Sequence, residues 1–197
     1  MNRIVGGSEM PESKVIGKGD DSAKLFIQKS LAGNETHGFD HDSVYYVQGH
    51  YYLFEYLKCD SKKVTPHTSN PRYYPYNWKK FYSLWQTAQR LKAYLLLINY
   101  SDREADQNLV KVMHVKDFNY TALDSYLEKC EKGLWGGQCD YLVMDEYKIS
   151  FDEFSKYLCK INSYASLPEE ENTRVPQRIF KYYERIQEAI KQPILPK

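Results

Sequence analysis

Along this chain apolar residues recur sometimes at every second position and sometimes at every third or fourth, and the switching between those spacings predicts a mixed α/β fold. Asp42–Val47 and His50–Lys58 are β-rich runs split by Gln48–Gly49, the pattern of a tight hairpin. From Asn77, a candidate N-cap, Trp78, Phe81, Trp85, Ala88 and Leu91 recur at helical spacing and mark an amphipathic helix. Tyr94–Tyr100 reads as a buried strand and Leu109–Val115 as another. Asn119–Lys132, closed by Gly133, reads as a helix, and Tyr141–Met144 as a short strand. Ser150-Phe-Asp-Glu153 has capping-box spacing ahead of Phe154, Tyr157, Leu158 and Ile161, which predicts a further helix.

The punctuation between these elements suggests the organisation. Residues 1–21 hold Gly6-Gly7, Pro11, Gly17 and Gly19 with little periodicity and are expected to form a loose arm. Ser22–Leu31 carries a short helix-like pattern ended by Gly33-Asn34, so a single α/β domain is expected over 22–165. Residues 166–197 are expected to be a polar linker and a last helix from Pro176 to about Lys191, packed on or beside that domain. Cys59–Tyr76 has too many prolines for regular structure, and a loop of that length is often functional.

Composition narrows the function only in places. The 197 residues suffice for one domain with a real core. A net charge of +1 excludes a strongly basic coat protein but leaves room for a local basic surface if the acids are segregated elsewhere. The longest apolar run, Ala93–Ile98, is far short of the roughly 20 residues of a spanning helix, and Met1-Asn-Arg-Ile lacks a signal-peptide core; no membrane partner and a cytoplasmic protein are expected. Cys59, Cys130, Cys139 and Cys159 form no CxxC pair and are read as reduced, structural thiols. Nineteen tyrosines, several of them in Arg72-Tyr-Tyr-Pro-Tyr76, suit interfaces and stacking on bases.

The hairpin carries the candidate chemistry. If Gln48–Gly49 is the loop, paired positions place Asp42 directly opposite Glu55, where like charges repel unless a divalent cation lies between them. A turn shifted to Gly49–His50 leaves the two acids on one face as diagonal neighbours, and a three-residue loop puts them on opposite faces. Magnesium, or manganese, accepts a few carboxylates while retaining waters, and a lysine nearby can balance charge at a phosphoryl group. Lys58 is the candidate lysine.

Asp42, Phe-Glu55-Tyr-Leu-Lys58, the helix Trp78–Lys92 and the strand Tyr94–Tyr100 resemble the core of the PD-(D/E)xK superfamily, the restriction-endonuclease-like nucleases, over roughly Ser22–Lys116. The resemblance implies a mixed central sheet flanked by helices and metal-dependent phosphodiester hydrolysis, in DNA before RNA. Asp42 and Glu55 would bind magnesium and Lys58 would position or activate the attacking water. Two residues separate Glu55 from Lys58 where the family usually has one, and strict alternation sends Lys58 to the other face; a β-bulge at Tyr56 or Leu57 would restore it. His41 stands where the family has proline. A fold kept without catalysis, serving as a nucleic-acid- or protein-binding module, is the alternative.

Further candidates surround this centre. Asp40 shares a face with Asp42 and is a candidate additional metal ligand. Lys62, Lys63, Arg72 and Tyr73 of the long loop, with Gln86 and Arg90 one helical turn apart, are the candidate substrate contacts, and a homo-oligomer is compatible with all of this. The literal triplet Glu146-Tyr147-Lys148 runs straight into the capping box and is read as a strand-to-helix connection.

Overall fold

The computed structural model describes Lys29, Ser30 and residues 41–165 other than 62 and 135. The arm expected over 1–21, most of the helix expected over Ser22–Leu31, and the linker and helix expected over 166–197 lie outside the described residues. Residues 41–165 belong to one compact unit, Phe39–Lys197, while Lys29 and Ser30 belong to another, Met1–Gly38.

β1 (Ser43–Val47) and β2 (His50–Lys58) pair antiparallel, with Ser43 opposite Phe54 and Val47 opposite His50. Gln48 and Gly49 lie at φ 50° and 82°. Positive φ at both loop positions matches the turn to the twist of the strands, and it selects the Gln48–Gly49 register from the three considered. After an irregular segment with two single turns of 3-10 helix, Pro71–Tyr73 and Pro75–Asn77, comes α1 (Trp78–Leu91). β3 (Tyr94–Tyr100) then lies parallel to β2. β4 (Leu109–Phe118) pairs antiparallel with β3, α2 (Tyr120–Glu131) follows, and β5 (Leu142–Ser150) pairs antiparallel with β4 before α3 (Phe151–Ala165). The sheet is mixed, in the order β1-β2-β3-β4-β5, and helices cover both of its faces.

Alternation along the strands divides the core in two. Leu53, Leu95, Leu97, Met113 and Val115 pack on Phe81, Leu84, Trp85 and Ala88 of α1 and on Leu123 of α2. Tyr52, Phe54, Leu96, Ile98, Val110 and Val112 point the other way, onto Phe154 and Ile161 of α3. β3 is buried on both faces, which is why it reads as an unbroken apolar run. Helix ends follow local chemistry. Asn119 caps α2 by accepting the Ala122 N–H at 3.0 Å, whereas Asn77 sits at the N-cap of α1 without a side-chain cap bond. Before α3, Ser150 and Glu153 exchange backbone–side-chain bonds of 2.8 and 3.2 Å, the expected capping box, and these hold the Glu153 carboxyl below its usual range.

One element departs from expectation. β5 runs on to Ser150, so Glu146-Tyr147-Lys148 lies inside a strand rather than in a strand-to-helix connection. The polar run Asp145–Lys148 hides the strand because β5 borders the sheet and most of these side chains are exposed; its backbone ladder to β4 is what extends it. Among the described residues no helix is long and apolar enough to cross a membrane.

Candidate functional site

The register of β1 on β2 puts position 42 opposite position 55, but the two carboxylates take different partners. Asp42 lies just outside β1, and its Oδ2 accepts the Tyr56 N–H at 2.7 Å. Continued pairing would bring the carbonyl of His41 to that N–H; the Asp42 side chain takes its place and ends the ladder. Glu55 points to the α1 side, where its Oε1 forms an ion pair with Lys80. A carboxylate only 3% exposed needs such a partner, because desolvation disfavours its charge. A cation shared with Asp42 would have to draw Glu55 away from Lys80. Among the described residues no group of three or more His, Cys, Asp and Glu is arranged to hold a metal ion, and Asp40 lies outside them.

Lys58 sits on the opposite side of β2 from Glu55. The β2–β3 ladder runs from Tyr52–Tyr94 to Lys58–Tyr100 without a shift, so the bulge that would turn Lys58 toward Glu55 does not occur. Instead Lys58 Nζ bridges Asp102 at 2.8 Å and Asp60 at 3.3 Å. Those bonds, the one to Asp102 first, raise its pKa. The lysine beside the strand glutamate is therefore Lys80. It follows Lys79 in the first turn of α1, and no strand-based spacing leads to it; the signal lies in the crossover, which lays the start of that helix over the strand just left.

The long loop after β2 is tethered rather than slack. Asn99, buried on β3, donates to the carbonyls of Pro66 and Ser69 at 3.1 and 2.9 Å. Arg103 donates to those of Ser61 and Val64 at 2.6 and 2.7 Å. Asn70 caps the first 3-10 turn, and its amide donates to Glu146 Oε1 at 2.6 Å. The other oxygen of Glu146 pairs at 3.0 Å with Lys111, which is 2% exposed. Glu146 of the triplet Glu146-Tyr147-Lys148 thus anchors the loop through an ion pair whose lysine is buried, and the triplet shows no acid–lysine pairing of its own.

The segment that runs through this scaffold carries charge of one sign. From Ser61 to Ser101 the chain contains no Asp or Glu, while Lys62, Lys63, Arg72, Lys79, Lys80, Arg90 and Lys92 all fall within it. Arg72 bridges Asp140 at 3.1 Å and Lys80 holds Glu55; Lys63, Lys79, Arg90 and Lys92 have no carboxylate partner among the described residues. Tyr73 and Tyr76 stand out between them, Tyr76 at 74% exposure. Of the expected substrate contacts, Lys63, Arg72, Tyr73 and Arg90 belong to this segment, Gln86 is tied to the Tyr82 hydroxyl, and Lys62 lies outside the described residues. The acid-free segment was legible in the sequence as a gap in the acidic residues, although overall charge conceals it.

The four cysteines are free, with Cys59, Cys130 and Cys139 buried and Cys159 exposed; burial, first among several causes, raises the pKa of the Cys59 and Cys139 thiols. Compared with protein-family models, curated proteins and solved structures, the chain matches none.

Proposed function

We propose that this protein binds nucleic acid through the tethered loop after β2 and the outer side of α1. The observation that carries this is the forty-one-residue acid-free segment from Ser61 to Ser101, in which Lys63, Lys79, Arg90 and Lys92 have no carboxylate partner among the described residues and Tyr73 and Tyr76 are exposed. Phosphate contacts supply the bulk of such binding and release counterions, while aromatic rings between the cations offer stacking faces for bases. A loop already fixed by Asn99, Arg103 and Glu146 loses little freedom on binding.

The test is fluorescence anisotropy with labelled duplex DNA, single-stranded DNA and RNA, across a salt series. Affinity should fall steeply as salt rises, and the double reversal Lys79→Glu/Arg90→Glu should weaken binding about tenfold or more while flattening the salt slope by roughly one for each phosphate no longer neutralised. Affinity indifferent to both salt and charge reversal would remove the basis for this reading.

A metal-dependent nuclease acting on DNA is the second reading, and the Glu55–Lys80 pair favours it. A buried strand carboxylate stands beside a lysine of the acid-free segment, in a hairpin followed by a helix and a parallel strand, which supports reading the core as restriction-endonuclease-like. Mg²⁺- or Mn²⁺-dependent plasmid nicking that disappears in both Glu55→Gln and Asp42→Asn would support it. Nicking that survives in either variant would count against these acids as metal ligands, with binding alone left as the activity.

A further inference from the structure

On the α3 side of the sheet a cavity of about 920 Å³ opens at the carboxyl ends of the parallel strands β2 and β3. That size falls within the roughly 300–1,000 Å³ of small-ligand sites, and the ends of parallel strands are where open α/β sheets commonly bind ligands. Ile98 and Val110 form its apolar floor. Tyr56 stands at right angles to two neighbouring rings: it meets Tyr100 at 84° with centroids 6.3 Å apart, and Phe154 at 82° with centroids 6.4 Å apart. All three rings line the cavity, so a single guest can meet more than one of them.

The charges around the cavity specify the guest further. Among the described residues its lining includes the carboxylates of Asp42 and Asp102 and no Lys, Arg or His. Asp102 is engaged by Lys58, whereas Asp42 gives one oxygen to the Tyr56 N–H and sets its carboxyl group at the cavity wall. A phosphate or carboxylate guest would meet like charge here. A cation would meet ring quadrupoles and a carboxylate together, the combination that recognises ammonium groups.

We propose that this cavity binds an organic ammonium cation, its charged head among Tyr56, Tyr100 and Phe154 beside Asp42 and its body over Ile98 and Val110. The proposal makes no use of the nucleic-acid reading, so it stands or falls independently of it. Choline and its uncharged isostere 3,3-dimethylbutan-1-ol probe the charge at constant shape. Titrated into the full chain and followed by calorimetry and by aromatic proton shifts, choline should bind saturably at one site and about tenfold or more tighter than the isostere. Tyr100→Leu should weaken choline by a similar factor with the thermal midpoint unchanged, since Tyr100 is partly exposed, while Tyr100→Phe should bind as wild type. Free Nε-trimethyllysine compared with the same residue inside a short peptide separates a diffusible ligand from a side chain of a partner protein. Equal affinity for choline and the isostere, no saturable choline binding, or wild-type affinity in Tyr100→Leu would overturn the proposal.

Discussion

Strand β2 serves two unlike surroundings. Toward α1 it turns Glu55, buried and paired with Lys80, and the neighbouring strands add Asn99 and Lys111, likewise buried and bonded, beneath a loop they hold in place. Toward α3 it turns Tyr56 and Lys58, where the charged groups lie at the rim: Lys58, Asp60 and Asp102 are all substantially exposed. The same acid–lysine chemistry therefore works differently on the two sides. Where water is excluded, a charge is tolerable only with its partner, and the pair fixes geometry; where water has access, solvent does most of the stabilising and the pair adds little.

This contrast can be broken most sharply at Glu146. Glu146→Ala leaves Lys111 as a buried cation and releases Asn70, and should lower the unfolding free energy by roughly 3 kcal/mol, toward the low end for a broken buried pair because Glu146 itself reaches solvent. Urea denaturation reads the loss; a change below about 0.5 kcal/mol, typical of surface substitutions, would mean that Lys111 is solvated after all. The double replacement Lys111→Met/Glu146→Leu sharpens the point, since apolar groups of similar volume should restore most of that stability.

Lys80→Ala should have the next largest effect, roughly 1–2 kcal/mol, because Glu55 is buried while Lys80 is open enough for water to replace part of what it supplies. The smallest effect is expected for Lys58→Ala. Its partners are exposed, and the denaturation midpoint should not move measurably at physiological salt. A loss at Lys58 equal to that at Lys80 would erase the distinction between the two sides of the strand.

Much of this architecture is written locally. The hairpin register follows from Gln48–Gly49 between two β-rich runs, α1 from the spacing of Trp78, Phe81, Trp85 and Ala88, and the start of α3 from Ser150 and Glu153. β5 beyond Met144 was not legible, since residues exposed at the border of a sheet carry little hydrophobic pattern and the strand exists through its pairing with β4. The grouping of Asp42, Glu55 and Lys58 was half legible. Alternation predicts that Lys58 leaves the Glu55 face, but nothing local tells that Asp42 turns its carboxylate onto the Tyr56 N–H.

By itself the sequence determined the periodicities that make each helix and strand, the tight turn that sets one register, and an acid-free stretch that concentrates positive charge. These are consequences of neighbours along the chain, and they require no knowledge of what packs where. Only the tertiary structure decided which cation meets which acid: Lys80 rather than Lys58 for Glu55, and Lys111 for Glu146. The physical reason is that a buried charge is satisfied by whichever opposite charge the packing brings within a few ångströms, and the parallel crossover and the β4–β5 ladder bring those together from 25 and 35 residues away.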